Sequence, residues 1–63
     1  MCESTALLLK EDKEEILMEN VASLEVKEGK LILRDILGKE TVLEGATLER
    51  IDFLKHKIFI KKS

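Results

Sequence analysis

The chain has 63 residues, of which 44% are hydrophobic and 38% charged, and its formal net charge at pH 7 is −2. A domain of this size buries only about 60% of its unfolded surface, so residues 1–63 predict one domain stabilised by a metal or by a second copy. The single cysteine excludes an internal disulfide, and the apolar runs are too short for a transmembrane helix. We expect a cytoplasmic protein with no signal peptide and no membrane contact.

The first half of the chain predicts three short strands. Apolar residues dominate 5–9 and 15–19, and a charged turn separates these two runs. Residues 22–26 alternate between apolar and polar side chains, which is typical of a strand with one buried face.

A helix competes with this interpretation in one segment. Leu17, Val21 and Leu24 recur at helical spacing across residues 14–25, which are rich in Glu and Leu. We favour a strand followed by a short turn near Asn20.

Three glycines punctuate the second half of the chain and predict turns between short strands. Glu28-Gly29 is the clearest hairpin signal, because glycine readily takes the positive φ that such turns need. A last hairpin is expected across Lys55-His56. The runs beside these turns are 24–27, which continues the strand over 22–26, and 30–33, 36–37, 41–43, 48–54 and 57–60.

Six or seven short strands in one small domain predict an all-β fold. Small sheets close into a barrel to avoid exposed edges, or they pair their edges across a dimer. The apolar residues expected in the core are Leu24, Val26, Leu31, Leu33, Val42, Ile51, Phe53, Ile58 and Ile60.

The start of the chain, Met1-Cys2-Glu3, carries the densest set of metal donors. The α-amine of Met1, the amide nitrogen of Cys2 and its thiolate can close two fused chelate rings. Ni(II) and Cu(II) favour such planar nitrogen and sulfur sets, whereas Zn(II) prefers a tetrahedral site. One chain supplies three donors in a plane, so the fourth must come from Glu3, water, His56 or a second copy.

The sequence gives little support for catalysis or for RNA binding. His56 lies between two lysines, which is typical of a solvated turn residue, and we expect its replacement to change metal binding little. The chain contains no glycine-rich phosphate loop and no spaced His/Cys set, so we expect no enzyme. RNA binding is also unfavoured, because Phe53 and Phe59 are the only aromatic residues and both lie in apolar runs.

Four segments together resemble one known family. They are residues 1–5 (MCEST), 18–21 (MENV), 31–38 (LILRDILG) and 51–58 (IDFLKHKI). They are similar to the CooT-type nickel-binding proteins, the nickel accessory proteins of carbon monoxide dehydrogenase.

The resemblance implies a small Sm-like or SH3-like β-barrel that forms a homodimer. It also implies Ni(II) binding through the second-position cysteine, here Cys2, at the dimer interface. Met1 and Glu3 complete the expected metal site, and the client would be carbon monoxide dehydrogenase. The role is that of a nickel chaperone and not of an enzyme.

Two alternatives to the nickel hypothesis stay open on the sequence. The first is an RNA-binding or protein-interaction barrel in which Cys2 is incidental. The second is a redox-sensing thiol that forms a Cys2–Cys2 disulfide across the dimer.

Overall fold

A computed structural model describes residues 3–62, and every regular element in that range is a β-strand. The strands are β1 (Ser4–Lys10), β2 (Lys13–Lys27), β3 (Lys30–Asp35), β4 (Glu40–Glu44), β5 (Ala46–Asp52) and β6 (Lys57–Lys62). The predicted all-β class is therefore confirmed. No helix that could span a membrane occurs within residues 3–62.

The six strands form one sheet in the order β4-β3-β2-β1-β6-β5. Successive strands in the sequence pair antiparallel where they are neighbours, but β1 and β6 run parallel. This parallel pair places the first and last strands side by side in the interior of the sheet. It places the start of β1 directly beside the start of β6.

The expected closed barrel is wrong, because the sheet is open. Within residues 3–62, the outer strands β4 and β5 have no backbone ladder between them. Gly45 alone connects these two edges, so the sheet must curl strongly to bring them together at that residue. Gly45 has a φ of 70°, a left-handed conformation that suits a residue without a Cβ atom.

β2 is one long strand where the sequence predicts two strands and a turn. Asn20 has a φ of 58° and ends the first run, and a register shift between Val21 and Ser23 follows. The strand therefore bends at the predicted turn position but stays in the sheet. The competing helix over residues 14–25 is wrong.

The core fills the concave side of the curled sheet. Its buried side chains are Ala6, Met18, Val21, Leu31, Leu33, Ile58 and Ile60. On the opposite side of β1 and β6, Leu7 and Phe59 are also buried. The Arg50 guanidinium carbon lies 4.0 Å from the centroid of the Phe59 ring, so this cation covers the aromatic face.

Part of the predicted core is wrong. Val26, Val42, Ile51 and Phe53 are exposed large hydrophobic residues. The predicted strand over 36–37 and the end of the predicted strand over 48–54 lie in turns instead. Alternation of apolar and polar residues shows which side chains of a strand share a face of the sheet. It does not show at which residue other side chains stop covering that face.

Candidate metal centre

Two of the three predicted metal-site residues, Met1 and Cys2, lie outside the described residues. Glu3 is the first described residue, and its side chain is exposed. Glu3 directly precedes Ser4, where β1 begins.

The start of β1 belongs to one end of the sheet, which four segments build. Ser4 pairs with Val21, and Val21 pairs with Asp35 at the end of β3. On the other side, Thr5 pairs with Lys57 at the start of β6. We call this end the N-terminal rim; it consists of residues 3–5, 20–21, 35–37 and 53–57.

His56 is fixed in the N-terminal rim by a backbone hydrogen bond. The amide of Thr5 donates to the carbonyl oxygen of His56 over 2.9 Å. His56 has a φ of 56° and is half-buried. The predicted turn is therefore confirmed, but the residue is not a fully solvated one, and it lies next to the strand that follows Cys2.

The sequence does not show that His56 lies beside Thr5, because more than fifty positions separate the two residues. A parallel pairing of the first and last strands brings the two regions together. The apolar run over 57–60 is a signal of a central strand, but its neighbour in the sheet cannot be read from the run itself.

Two apolar pairs stand exposed on the N-terminal rim. Ile36 and Leu37 are 54% and 88% exposed, and Phe53 and Leu54 are 79% and 93% exposed. Large clusters of exposed apolar side chains are typical of sites where a protein binds a partner. The burial expected of Phe53 is thus wrong, whereas Phe59, which also lies in an apolar run, is buried.

An aspartate builds each turn that carries an apolar pair. Asp35 Oδ1 accepts hydrogen bonds from the amides of Leu37, at 2.9 Å, and Lys39, at 2.8 Å. Asp52 Oδ1 accepts one from the amide of Lys55 at 3.0 Å. Side-chain acceptors of this kind stabilise turns locally, so the apolar pairs lie on defined turns.

The acidic side chains of the described part of the chain do not cluster into a metal site. Within residues 3–62, no three His, Cys, Asp or Glu side chains form a group that could hold a metal ion. The pKa of the Glu15 carboxyl is lowered, because Lys10 donates a hydrogen bond to it and carries a positive charge beside it. Its carboxylate lies 2.9 Å from Lys10 Nζ, at the opposite end of β1 from the N-terminal rim.

Comparison with known proteins decides the family. The model of the family "CO dehydrogenase accessory protein CooT" matches residues 1–61 of the chain. The chain belongs to the CooT family. Its fold is similar to the crystal structure of a candidate CooT from Carboxydothermus hydrogenoformans, with a TM-score of 0.88 and 31% sequence identity over 98% of each chain. No curated protein matches the chain.

Proposed function

We propose that this CooT-family chain carries nickel for the maturation of carbon monoxide dehydrogenase. The observation that carries the proposal is the coincidence of a match to the accessory-protein family with a Met1-Cys2 start. Nickel is the cargo in this proposal, and the chain itself performs no catalysis.

The proposed ligands are the thiolate of Cys2 and the α-amine of Met1, and the amide nitrogen of Cys2 can join them. Glu3 tunes the affinity from the edge of the site. Thiolate and neutral amine both require loss of a proton, and their ordinary pKa values are about 8.5 and about 8. Nickel can displace both protons near neutral pH, and acid should release it.

A homodimer is part of the proposal, with the nickel shared between two N-termini. The exposed apolar pairs on the N-terminal rim support it, because they lie at the end of the sheet from which the N-terminus extends. Burying these pairs against a second copy would remove apolar surface from water and bring the two Cys2 residues together.

An exposed terminal site suits a carrier. Ligands at the end of a chain can leave the metal one at a time while the client's ligands replace them. A nickel ion enclosed by the core would require partial unfolding for release. The exposed Glu3 is consistent with an accessible site.

Nickel titration of the wild type and of Cys2→Ser tests the proposal. The wild type should bind one Ni(II) per dimer, with thiolate charge-transfer absorbance and a diamagnetic, square-planar signature. Cys2→Ser should lose both the absorbance and the calorimetric signal, because a hydroxyl is a poor substitute for a thiolate. Glu3→Gln is the matched control, and it should weaken binding only slightly.

Acidification should weaken nickel binding to the wild type, as protons compete for the amine and the thiolate. Circular dichroism should show that Cys2→Ser retains the fold. Unchanged nickel affinity in folded Cys2→Ser would remove Cys2 from the site and would favour the interpretation in which the cysteine is incidental.

A further inference from the structure

The outer side of β5 and β6 gathers three cations around a buried aromatic ring. Residues that pair across neighbouring strands share a face of the sheet, so Arg50 lies beside Phe59 on the side away from the core. Lys57 and Lys61 stand two positions before and after Phe59 on β6, and they share this side. We call the surface made by Arg50, Lys57, Phe59 and Lys61 the outer basic face.

The guanidinium of Arg50 is held in place by the ring beneath it. Its carbon lies 4.0 Å from the centroid of the Phe59 ring, yet the Arg50 side chain is 61% exposed. Within residues 3–62, this guanidinium donates no hydrogen bond, because Asp52 Oδ2 lies 3.9 Å from Arg50 Nη1. A planar group of donors is therefore fixed in orientation and open to an acceptor from another molecule.

The two lysines of the outer basic face are not neutralised by their surroundings. Neither Lys57 nor Lys61 has an ion-pair partner within residues 3–62. Other cations of the sheet each pair with a glutamate: Lys10, Lys30 and Arg34. With Asp52 included, the outer basic face carries three positive charges and one negative charge, in a chain whose net charge is −2.

We infer that the outer basic face binds an extended acidic segment of a partner protein, with carboxylates at three alternate positions. Lys57 and Lys61 are about 13 Å apart along β6, and Arg50 lies beside the midpoint between them. Alternate side chains of an extended chain repeat about every 6–7 Å on one side, so three of them match the three cations. The inference goes beyond the proposed function and requires neither nickel nor Cys2.

Two other occupants fit this surface less well. Single-stranded RNA depends on aromatic rings on which bases stack, and the Phe59 ring is only 4% exposed beneath Arg50. A second copy of the chain is proposed to cover the N-terminal rim, to which Lys57 belongs but Arg50 and Lys61 do not. Carboxylates need neither a free ring nor the rim, and they accept paired hydrogen bonds from a guanidinium.

Fluorescence anisotropy of a labelled peptide tests the inference on untagged protein at low ionic strength. The probe peptide alternates serine with three aspartates, and the matched control peptide has asparagine in place of each aspartate. The wild type should bind the first peptide and not the second. Its affinity for the first should fall as salt is added, because salt screens exposed charges.

Variants of the outer basic face assign the binding to its residues. Arg50→Gln should weaken peptide binding at least about fivefold, because it removes charge-assisted hydrogen bonds. Arg50→Lys keeps the charge and should recover part of the affinity, which covers the case in which Arg50→Gln fails to fold. Lys61→Gln should weaken binding less than Arg50→Gln does. Arg34→Gln is the control, since Arg34 pairs with Glu40 on other strands, and it should bind as the wild type does.

Three results would overturn the inference. The first is equal affinity of the wild type for the two peptides, or wild-type affinity in folded Arg50→Gln. The second is tighter binding of an oligouridylate than of the acidic peptide, which would assign the face to RNA. The third is a wild type that binds no peptide and an Arg50→Gln variant that loses the dimer in sedimentation velocity, which would assign the face to a second copy. None of these results bears on nickel binding at Cys2.

Discussion

At the residue scale, the same side chain type has different consequences according to which face of the sheet it occupies. Ile60 lies on the concave face of β6 and is fully buried in the core. Ile16 lies on β2 opposite Leu7, and 57% of its surface remains exposed. Only the first of these residues should contribute strongly to stability.

Ile60→Ala should lower the free energy of unfolding by about 2–5 kcal/mol, through lost burial and the cavity left behind. Ile16→Ala, the matched control, should cost about 1 kcal/mol or less. Urea denaturation of both variants measures the difference. Equal losses would contradict the placement of the core on the concave face.

At the element scale, the exposed pairs of the N-terminal rim depend on two turns of the same design. Asp35 and Asp52 each accept amide hydrogen bonds within the turn that they begin, and an apolar pair follows each of them. Large apolar side chains that stay exposed to solvent and bind no partner would reduce the solubility of the protein. A second copy of the chain is the partner we propose for this surface.

Leu54→Ser should weaken the dimer without unfolding the protomer, because this side chain is 93% exposed in the single chain. Val26→Ser is the control; Val26 is 67% exposed, near the Glu28-Gly29 turn at the other end of β3. Sedimentation velocity at micromolar concentration should show a larger monomer fraction for the first variant alone. Equal dimer fractions in both variants would place the interface elsewhere.

The elements also show what the sequence can predict and what it cannot. Hairpin turns at Glu28-Gly29 and Lys55-His56 were predictable, because local residues determine them. The bend in β2 was predicted only as a turn, since pairing on both sides of Asn20 keeps the strand in the sheet. The exposure of Phe53 was not predictable, because it depends on the Asp52 turn ending β5 one residue earlier.

At the scale of the whole molecule, chain ends and sheet edges determine the organisation. The parallel β1–β6 pair brings the start of β1 beside His56, and Gly45 connects the two edge strands β4 and β5, which have no backbone ladder between them. The Cys2 metal site stays a prediction from the sequence, because Met1 and Cys2 lie outside the described residues. The position of His56 beside Thr5 was not predictable, because it requires the pairing of the first and last strands.

Native mass spectrometry of the untagged protein with Ni(II) tests most directly the claim that two chains share one nickel through Cys2. The wild type should appear as two 7.2 kDa chains carrying a single nickel ion, and Cys2→Ser should appear as the same dimer without nickel. A nickel-bearing Cys2→Ser dimer, or a wild type that carries nickel as a monomer, would contradict the account.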